Sequence, residues 1–515
     1  MRPIPATKKA PRRNRTALTA GFTMAGDSRV ILLPYVEPER ICTAAARLST
    51  KPGTCTEILK AVDPADPGDT IKNVVKLGHT SVVEHACFTV AFENVSAFVE
   101  QFVIEFRLGS YTVKSRRYVD FGDAGYVVPF FSIEDTEQEQ LDFAGAEEEP
   151  ERFYVLPELA YARHGGAFYR KYVDHMNFLF GEYRDLVSAG VPNEDARFLL
   201  PYSFKSNFFC TMNARELGHF LKAALYGRGR KYREVYTLAK DLQEQLKVAA
   251  PRIFGNVKEP KGDGGNGDEL QAYLNKRFAA ERPAYRKAHV ELLSHTRRPE
   301  RVVAMAAAVK NTQVPTAEIR RRLNRRTTKK LIEAVLTSKR PRELEQVNFT
   351  FRISNISLPT LTHVARHRMQ SLVVPDFTKV GKNRSYVYPE TIKADGKLYR
   401  RYRNAIRRHR HFYQEVVEPN LPPEERIYAY VSGNTIDVLT TMNARELLFF
   451  LSLRTCDRAQ WEIRGAAKDM LKKVKRLAPG IFAKAGPNCY TLGYCTEGKM
   501  NCGRMEEVVA EFARL

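Results

Sequence analysis

The chain repeats itself, and that constrains its fold more than any other feature. Thr211-Met212-Asn213-Ala214-Arg215-Glu216-Leu217 recurs as Thr441-Met442-Asn443-Ala444-Arg445-Glu446-Leu447, seven identical consecutive residues. Earlier, Pro38-Glu39-Arg40-Ile41 opens an alanine-rich stretch, and Pro299-Glu300-Arg301-Val302 opens another. Phe88-Thr89-Val90 returns as Phe349-Thr350-Phe351. The offset is near 261 at first and 230 at the Asn-Ala-Arg copies, so the first copy carries about 31 extra residues. The acidic stretch 134–151 is the natural candidate for that exposed insertion. Units this long are duplicated domains, since solenoid repeats are far shorter. The Gly-rich run EPKGDGGNGDE, residues 259–269, reads as the joint between them. The expected division is a basic tail 1–27, a first repeat 28–257, a linker 258–284 and a second repeat 285–515 with a cysteine-bearing tail.

Each repeat reads as α+β, a sheet with long helices. Val30 to Leu33, Val290 to Leu293 and Phe349 to Ile353 are strand-like, the last by alternation. Asn443 to Lys475 has apolar residues at helical spacing and predicts one or two long helices, stopped near Pro479-Gly480.

Charge narrows the partners. There are 82 basic and 59 acidic side chains, a formal +23 over 515 residues. Nucleic acid, phosphorylated metabolites and phosphate-bearing cofactors all suit that excess. The Arg320, Arg321, Arg322, Arg325, Arg326 cluster reads as solvated surface. No run of 18 apolar residues exists, so no membrane span is expected. Lys8, Lys9, Arg12, Arg13 and Arg15 are followed by no apolar stretch, unlike a secretory signal. Eight scattered cysteines make no disulfide framework and point to a reducing cytoplasm. Cys489, Cys495 and Cys502, with Cys456 as a fourth, could hold zinc or an iron–sulfur centre, but the C-x5-C-x6-C spacing is no standard knuckle. They are read as reduced thiols, with no metal expected.

The second copy holds Arg366-His367-Arg368 and Ser371, a dense donor array for a phosphate or an electron-rich ring. The first holds Ser110, Ser115, Arg117 and Tyr118 at the corresponding place. Upstream stands His79-Thr80-Ser81-Val82-Val83-Glu84-His85-Ala86-Cys87-Phe88-Thr89. Downstream stands Arg454-Thr455-Cys456-Asp457-Arg458-Ala459-Gln460-Trp461-Glu462-Ile463-Arg464. In this order and spacing the stretches resemble the flavin-dependent thymidylate synthases, over most of both repeats. The resemblance implies two thymidylate-synthase-complementing-type domains in tandem.

The departures are complementary. In the first copy the triplet has become Glu105-Phe106-Arg107, Ala224 stands for Arg454, and Arg230-Lys231-Tyr232 is read opposite Gln460-Trp461-Glu462. In the second, Asp376 takes the serine position, and Arg340, Arg342 and Gln346 replace His79, Ser81 and His85. Each copy keeps what the other has lost, which predicts one composite site per chain.

By the resemblance, Ser115, Arg117, Arg197, Arg366 and Arg454 bind dUMP. Arg454 and His79 are the catalytic candidates, Arg454 by favouring the N3 anion that pushes electron density to uracil C5. Ser49, Ser81, Arg366, His367, Arg368, Ser371, Asn213, Arg215, His219, Asn443 and Arg445 match FAD positions, while Phe449 stands where the first copy has His219. His85 reads as packing beneath a strand and Trp461 as core. The implied reaction is reductive methylation of dUMP to dTMP with methylenetetrahydrofolate and NADPH as co-substrates. A homodimer of chains would reproduce the family's four-domain assembly. The competing expectation is an inactive nucleotide- or RNA-binding paralogue, which the charge would suit; binding to nucleic acid is the less favoured of the two.

Overall fold

The computed structural model describes residues 28–127, 166–255, 257–259, 273–274, 276–278, 288–378 and 385–515. The tail 1–27, the acidic stretch 134–151 and most of the 258–284 linker lie outside the described residues. Strands β1 (Arg29–Leu32), β2 (Cys87–Ser96), β3 (Ser110–Val113) and β4 (Lys205–Asn213) form an antiparallel sheet of order β1-β2-β4-β3. Strands β5 (His289–His295), β6 (Asn348–Ser357), β7 (Gln370–Val373) and β8 (Thr435–Asn443) repeat it as β5-β6-β8-β7. The architecture is α+β, two like domains in one chain.

The helices used below are α1 (Pro38–Leu48), α2 (Ala97–Ile104), α3 (Gly166–Ser188), α4 (Ala214–Leu225), α5 (Arg233–Ala249), α6 (Leu358–Ala365), α7 (Gly396–Phe412), α8 (Ala444–Arg454), α9 (Trp461–Leu477) and α10 (Met505–Arg514).

A bulge sets the site in each repeat. Phe88, Val90 and Phe92 alternate into the core, and then Asn94 takes φ 54° and the pairing of β2 with β4 slips. Asn355, φ 57°, does the same in β6. Asparagine tolerates this left-handed conformation better than most residues. The Asn94 N–H donates to Asn207 Oδ1 at 3.0 Å and the Asn355 N–H to Asp437 Oδ1 at 2.8 Å. Beyond the bulge Ser96 and Ser357 cap α2 and α6, whose C-terminal ends carry Glu105-Phe106-Arg107 and Arg366-His367-Arg368.

The same serines correct one sequence alignment. Ser96 N and Oγ donate to Glu234 at 2.8 and 2.6 Å, and Ser357 N donates to Glu462 at 3.0 Å, with its Oγ on the same carboxylate. Glu234 is therefore the counterpart of Glu462, and α5 and α9 are both 17 residues long. The Arg230-Lys231-Tyr232 register fails because the first copy has a slightly longer connector before α5. The 443–475 stretch forms two helices, α8 and α9.

The repeats meet as a pseudo-twofold pair, and their bonds come in mates. Tyr202 N donates to Tyr430 O at 2.5 Å and Ser432 N to Leu200 O at 2.8 Å. Arg107 Nη1 donates to Gln370 O, and Arg368 Nη1 to Gly109 O at 2.8 Å. Helices α2 and α6 pack on each other, and one hydrophobic core runs through both repeats. This is isologous packing, the kind found in twofold dimers, within one chain. On the same seam His175 of α3 meets His409 of α7, with Nε2 and Nδ1 3.1 Å apart and Phe412 stacked on the His175 ring. No helix among the described residues is long and apolar enough to cross a membrane.

Candidate active site

Four guanidiniums from both repeats converge on one seam. Arg117 follows β3; its Nε donates to Glu194 Oε2 at 2.6 Å and its Nη1 crosses to Arg458 O of the second repeat at 2.8 Å. Arg197 starts the turn after Glu194, donates from Nε to Glu194 O at 3.0 Å, and is 4% exposed. Arg454 ends α8 and Arg366 ends α6. The buried His363, one helical turn before Arg366, lies within the field of all four, and burial followed by those charges holds it well below the usual imidazole range.

Arg117 is paired with Glu194, whose charge also reaches Arg197, and Glu100 acts on Arg366, whereas Arg454 is held by the His367 ring. Burial, then Arg116, bring Arg197 down to about 9, with Arg117 adding to the effect. Burial, then Arg366 and Arg117, bring Arg454 down to about 10. An arginine does not give up its proton at working pH. The depressions come first from burial and then from crowded positive charge, and a bound anion would relieve the second part. Arg197 Nη2 and His363 Nδ1 are buried with no hydrogen-bond partner among the described residues. Buried polar atoms are normally paired, so these two point to a missing ligand group.

Arg454 is oriented by the triplet's histidine. Its Nε donates to His367 Nε2 at 2.8 Å, and His367 Nδ1 faces Glu446 Oε1 at 3.3 Å. Asp195 accepts from Trp461 Nε1 at 2.7 Å and Thr391 Oγ1 at 2.6 Å, so Trp461 is not merely core. A cavity of about 750 Å³ opens over Arg117, Tyr118, Arg454 and Arg458.

The pseudo-symmetric position is closed. Glu105, in the place of Arg366, pairs with Arg228 at 2.6 Å, and Asp376, in the place of Ser115, pairs with Lys231 and accepts from Tyr232 Oη at 3.2 Å. Burial works to raise Asp376, yet Lys231 and Thr378 keep its carboxyl below the usual range. The space among Glu105, Arg228, Tyr232 and Asp376 is about 100 Å³.

The remaining sequence-named residues lie elsewhere. Ser115 is half-buried and its Oγ accepts from Arg117 N at 3.3 Å. Exposed Ser49, His79, Ser81, Arg215 and His219 sit where α1, the 80–85 turn and the start of α4 pack together. Arg215 pairs with Glu84 at 2.5 Å, matched by Arg445 with Glu345 at 2.6 Å. His85 is exposed there, not packed beneath the strand. Asn213 and Asn443 each cap a helix, accepting from Glu216 N and Glu446 N at 2.9 Å. Ser371 lines a separate cavity of about 430 Å³ with Glu105, Arg107 and Arg228.

Sequence reasoning missed the supporting residues. Glu100, fully buried, accepts from Arg116 Nη2 and from Ser206 Oγ at 2.6 Å. Glu194 and His363 were also overlooked. His363 could have been found from its spacing of one helical turn before Arg366, whereas Glu194 has no signal beyond adjacency to Asp195-Ala196-Arg197.

The sequence matches the thymidylate synthase complementing protein family over residues 31–252 and 291–480. A flavin-dependent thymidylate synthase of Geobacter sulfurreducens is 34% identical over 229 residues, 44% of this chain and 98% of that protein. Another, from Sulfolobus acidocaldarius, is 34% identical over 205 residues, 39% of this chain and 77% of its own. Among solved structures, the UMP/dUMP methylase PolB of Streptomyces cacaoi, bound with 5-Br dUMP, covers 46% of this chain and 100% of its own at 22% identity and a TM-score of 0.33. Matched in both halves, each about the length of one whole relative, the chain belongs to the thymidylate synthase complementing protein family and carries its domain twice.

Proposed function

We propose that this chain is a flavin-dependent thymidylate synthase, converting dUMP to dTMP at one composite site per chain. The observation that carries this is the convergence of Arg117 and Arg197 from the first repeat with Arg366 and Arg454 from the second, all four acting on the buried His363. A nucleotide monophosphate carries the anion that such a set of guanidiniums is suited to bind. In the opposite combination Glu105 and Asp376 tie up Arg228 and Lys231, and the space among them is about 100 Å³.

Uracil C5 is a poor nucleophile, and it gains electron density when negative charge at N3 is favoured. Arg454 is suited to that task, because a guanidinium held in place stays charged and needs no reorganisation. His367 accepts from Arg454 Nε, which leaves the outer guanidinium nitrogens for the base. Arg197 and Arg117 serve the phosphate end.

The exposed donors Ser49, Ser81, Arg215 and His219 suit the phosphates of a dinucleotide, and they would hold FAD; Arg368 and Arg445 of the second repeat are named for it by the family resemblance alone. Bound there, reduced flavin supplies hydride, methylenetetrahydrofolate the carbon and NADPH the reducing equivalents. His79 stands beside that donor set at the head of its turn. Two chains would assemble the four domains of the family's particle.

Titration calorimetry with dUMP tests the reading. One site per chain, on protein that turns yellow with FAD, is the expected result. Two equivalent dUMP sites, or colourless protein with no FAD affinity, would overturn it.

A further inference from the structure

The last part of the chain, beyond residue 480, lies outside the family match, yet it lies against the composite cavity. The wall opposite Arg117 and Arg454 is built by Asn488 to Val508. Four of the eight cysteines line this one cavity: Cys456 from the turn after α8, and Cys489, Cys495 and Cys502 from the extension. All are free thiols. The short helix Asn488–Leu492 packs on α8, and α10 packs on that helix, which brings Cys489 next to the turn that holds Cys456.

We propose that these four cysteines bind one Zn²⁺ as a tetrathiolate site, and that the ion fastens the C-terminal extension over the nucleotide cavity. Four soft donors from two segments lining one cavity are the ligand types that a closed structural zinc site uses. Among the described residues no three such side chains stand ready around one point, so the thiols must draw in to about 2.3 Å from the ion. Gly493, Gly498 and Gly503, all at positive φ, turn the backbone on either side of Cys495 and Cys502. On binding, four thiols form four Zn–S bonds and release four protons to solvent, giving a centre of net charge −2. Arg458 and Arg504 line the same cavity and offset that charge.

A disulfide between two of these thiols is the competing chemistry, but it would need an oxidant and would leave the other two unexplained. The zinc assignment does not depend on the methylation reading, since its measurement is metal content. The full chain, purified without chelator and desalted, is assayed for metals, and a mercurial titration follows release with a chromogenic chelator. The expected result is about one Zn²⁺ per chain, set free as about four thiols are consumed. Cys495→Ser and Cys502→Ser should lose the metal while circular dichroism is unchanged, and the exposed Cys55→Ser should retain it. Limited proteolysis should then cut the variants between residues 486 and 504 faster than the parent. Should the variants fail to fold, Co²⁺ substitution of the parent decides, through the intense bands of a tetrahedral thiolate site. Metal-free parent protein, zinc retained in both variants, or iron with acid-labile sulfide in place of zinc would overturn the proposal.

Discussion

Arg454 Nε donates to His367 Nε2 at 2.8 Å, and this bond fixes the imidazole's proton on Nδ1, towards Glu446. Burial is the main reason His367 stays below its usual range, and Arg454 adds to it. The ring is thus a neutral acceptor that aims a charged group. Arg454→Ala should lower kcat by about 10² to 10³, the usual loss of one preorganised donor. His367→Ala should lower kcat less. His367→Gln, whose carbonyl can still accept, should recover part of the difference. Equal losses in all three variants would argue against a positioning role.

Arg117 and Arg454 come from different repeats but serve one cavity. Arg117→Ala and Arg454→Ala should each remove most activity, and the double variant should be little worse, because members of one unit are not additive. Asp376→Ala should leave turnover nearly unchanged. An Arg454→Ala enzyme with half its activity would mean two independent sites.

The crowded cations predict stabilisation by the ligand. At a dUMP concentration about 100 times Kd, the folded state should gain about 2.7 kcal/mol, visible as a raised Tm. Uridine, lacking the phosphate, should give a much smaller shift. Added salt should weaken the dUMP effect.

Trp461 is the single tryptophan of the chain, and its indole N–H is bonded to Asp195, two residues from Arg197. Intrinsic tryptophan emission should therefore respond to dUMP. Trp461→Phe should abolish that response and weaken binding modestly. Emission unchanged at saturating dUMP would place the nucleotide elsewhere.

Burial holds His175 at about 2 and His409 at about 3, and each has an unfolded value near 6.5. Between these values the unfolded chain binds more protons than the folded one. Stability is therefore full above about pH 6.5 and is lost as pH falls towards 3. Urea midpoints at about pH 7 and about pH 5 should differ, and His409→Leu should narrow the difference. An unchanged difference would remove the pair from the acid response.

The duplication and the α+β class were legible because identical heptads and matched apolar patterns survive in both copies. Arg366, Arg454, Arg117 and Arg197 stand out in the sequence as motif members, and their complementary losses are the basis for proposing one composite site. The register of the late helix was not legible, because a slightly longer connector before α5 hides Glu234 until Ser96 is seen bonded to it. Nor were Arg228 and Lys231 legible as the cations that neutralise Glu105 and Asp376, since such pairs depend on contacts between distant segments. Glu100 reads in sequence as a polar residue, beside Gln101, in an otherwise apolar helix. Only the fold shows it buried under Arg116 and Ser206.

The bond from Arg117 to Arg458 O joins two halves that the peptide chain already holds together. In a site shared between separate subunits, the cations disperse when the particle is diluted. Here the guanidinium cluster has a local concentration set by the chain itself, whatever the amount of protein in solution. Each half is also released from matching itself, so Arg117 persists in the first repeat while Thr378 stands at the equivalent place in the second.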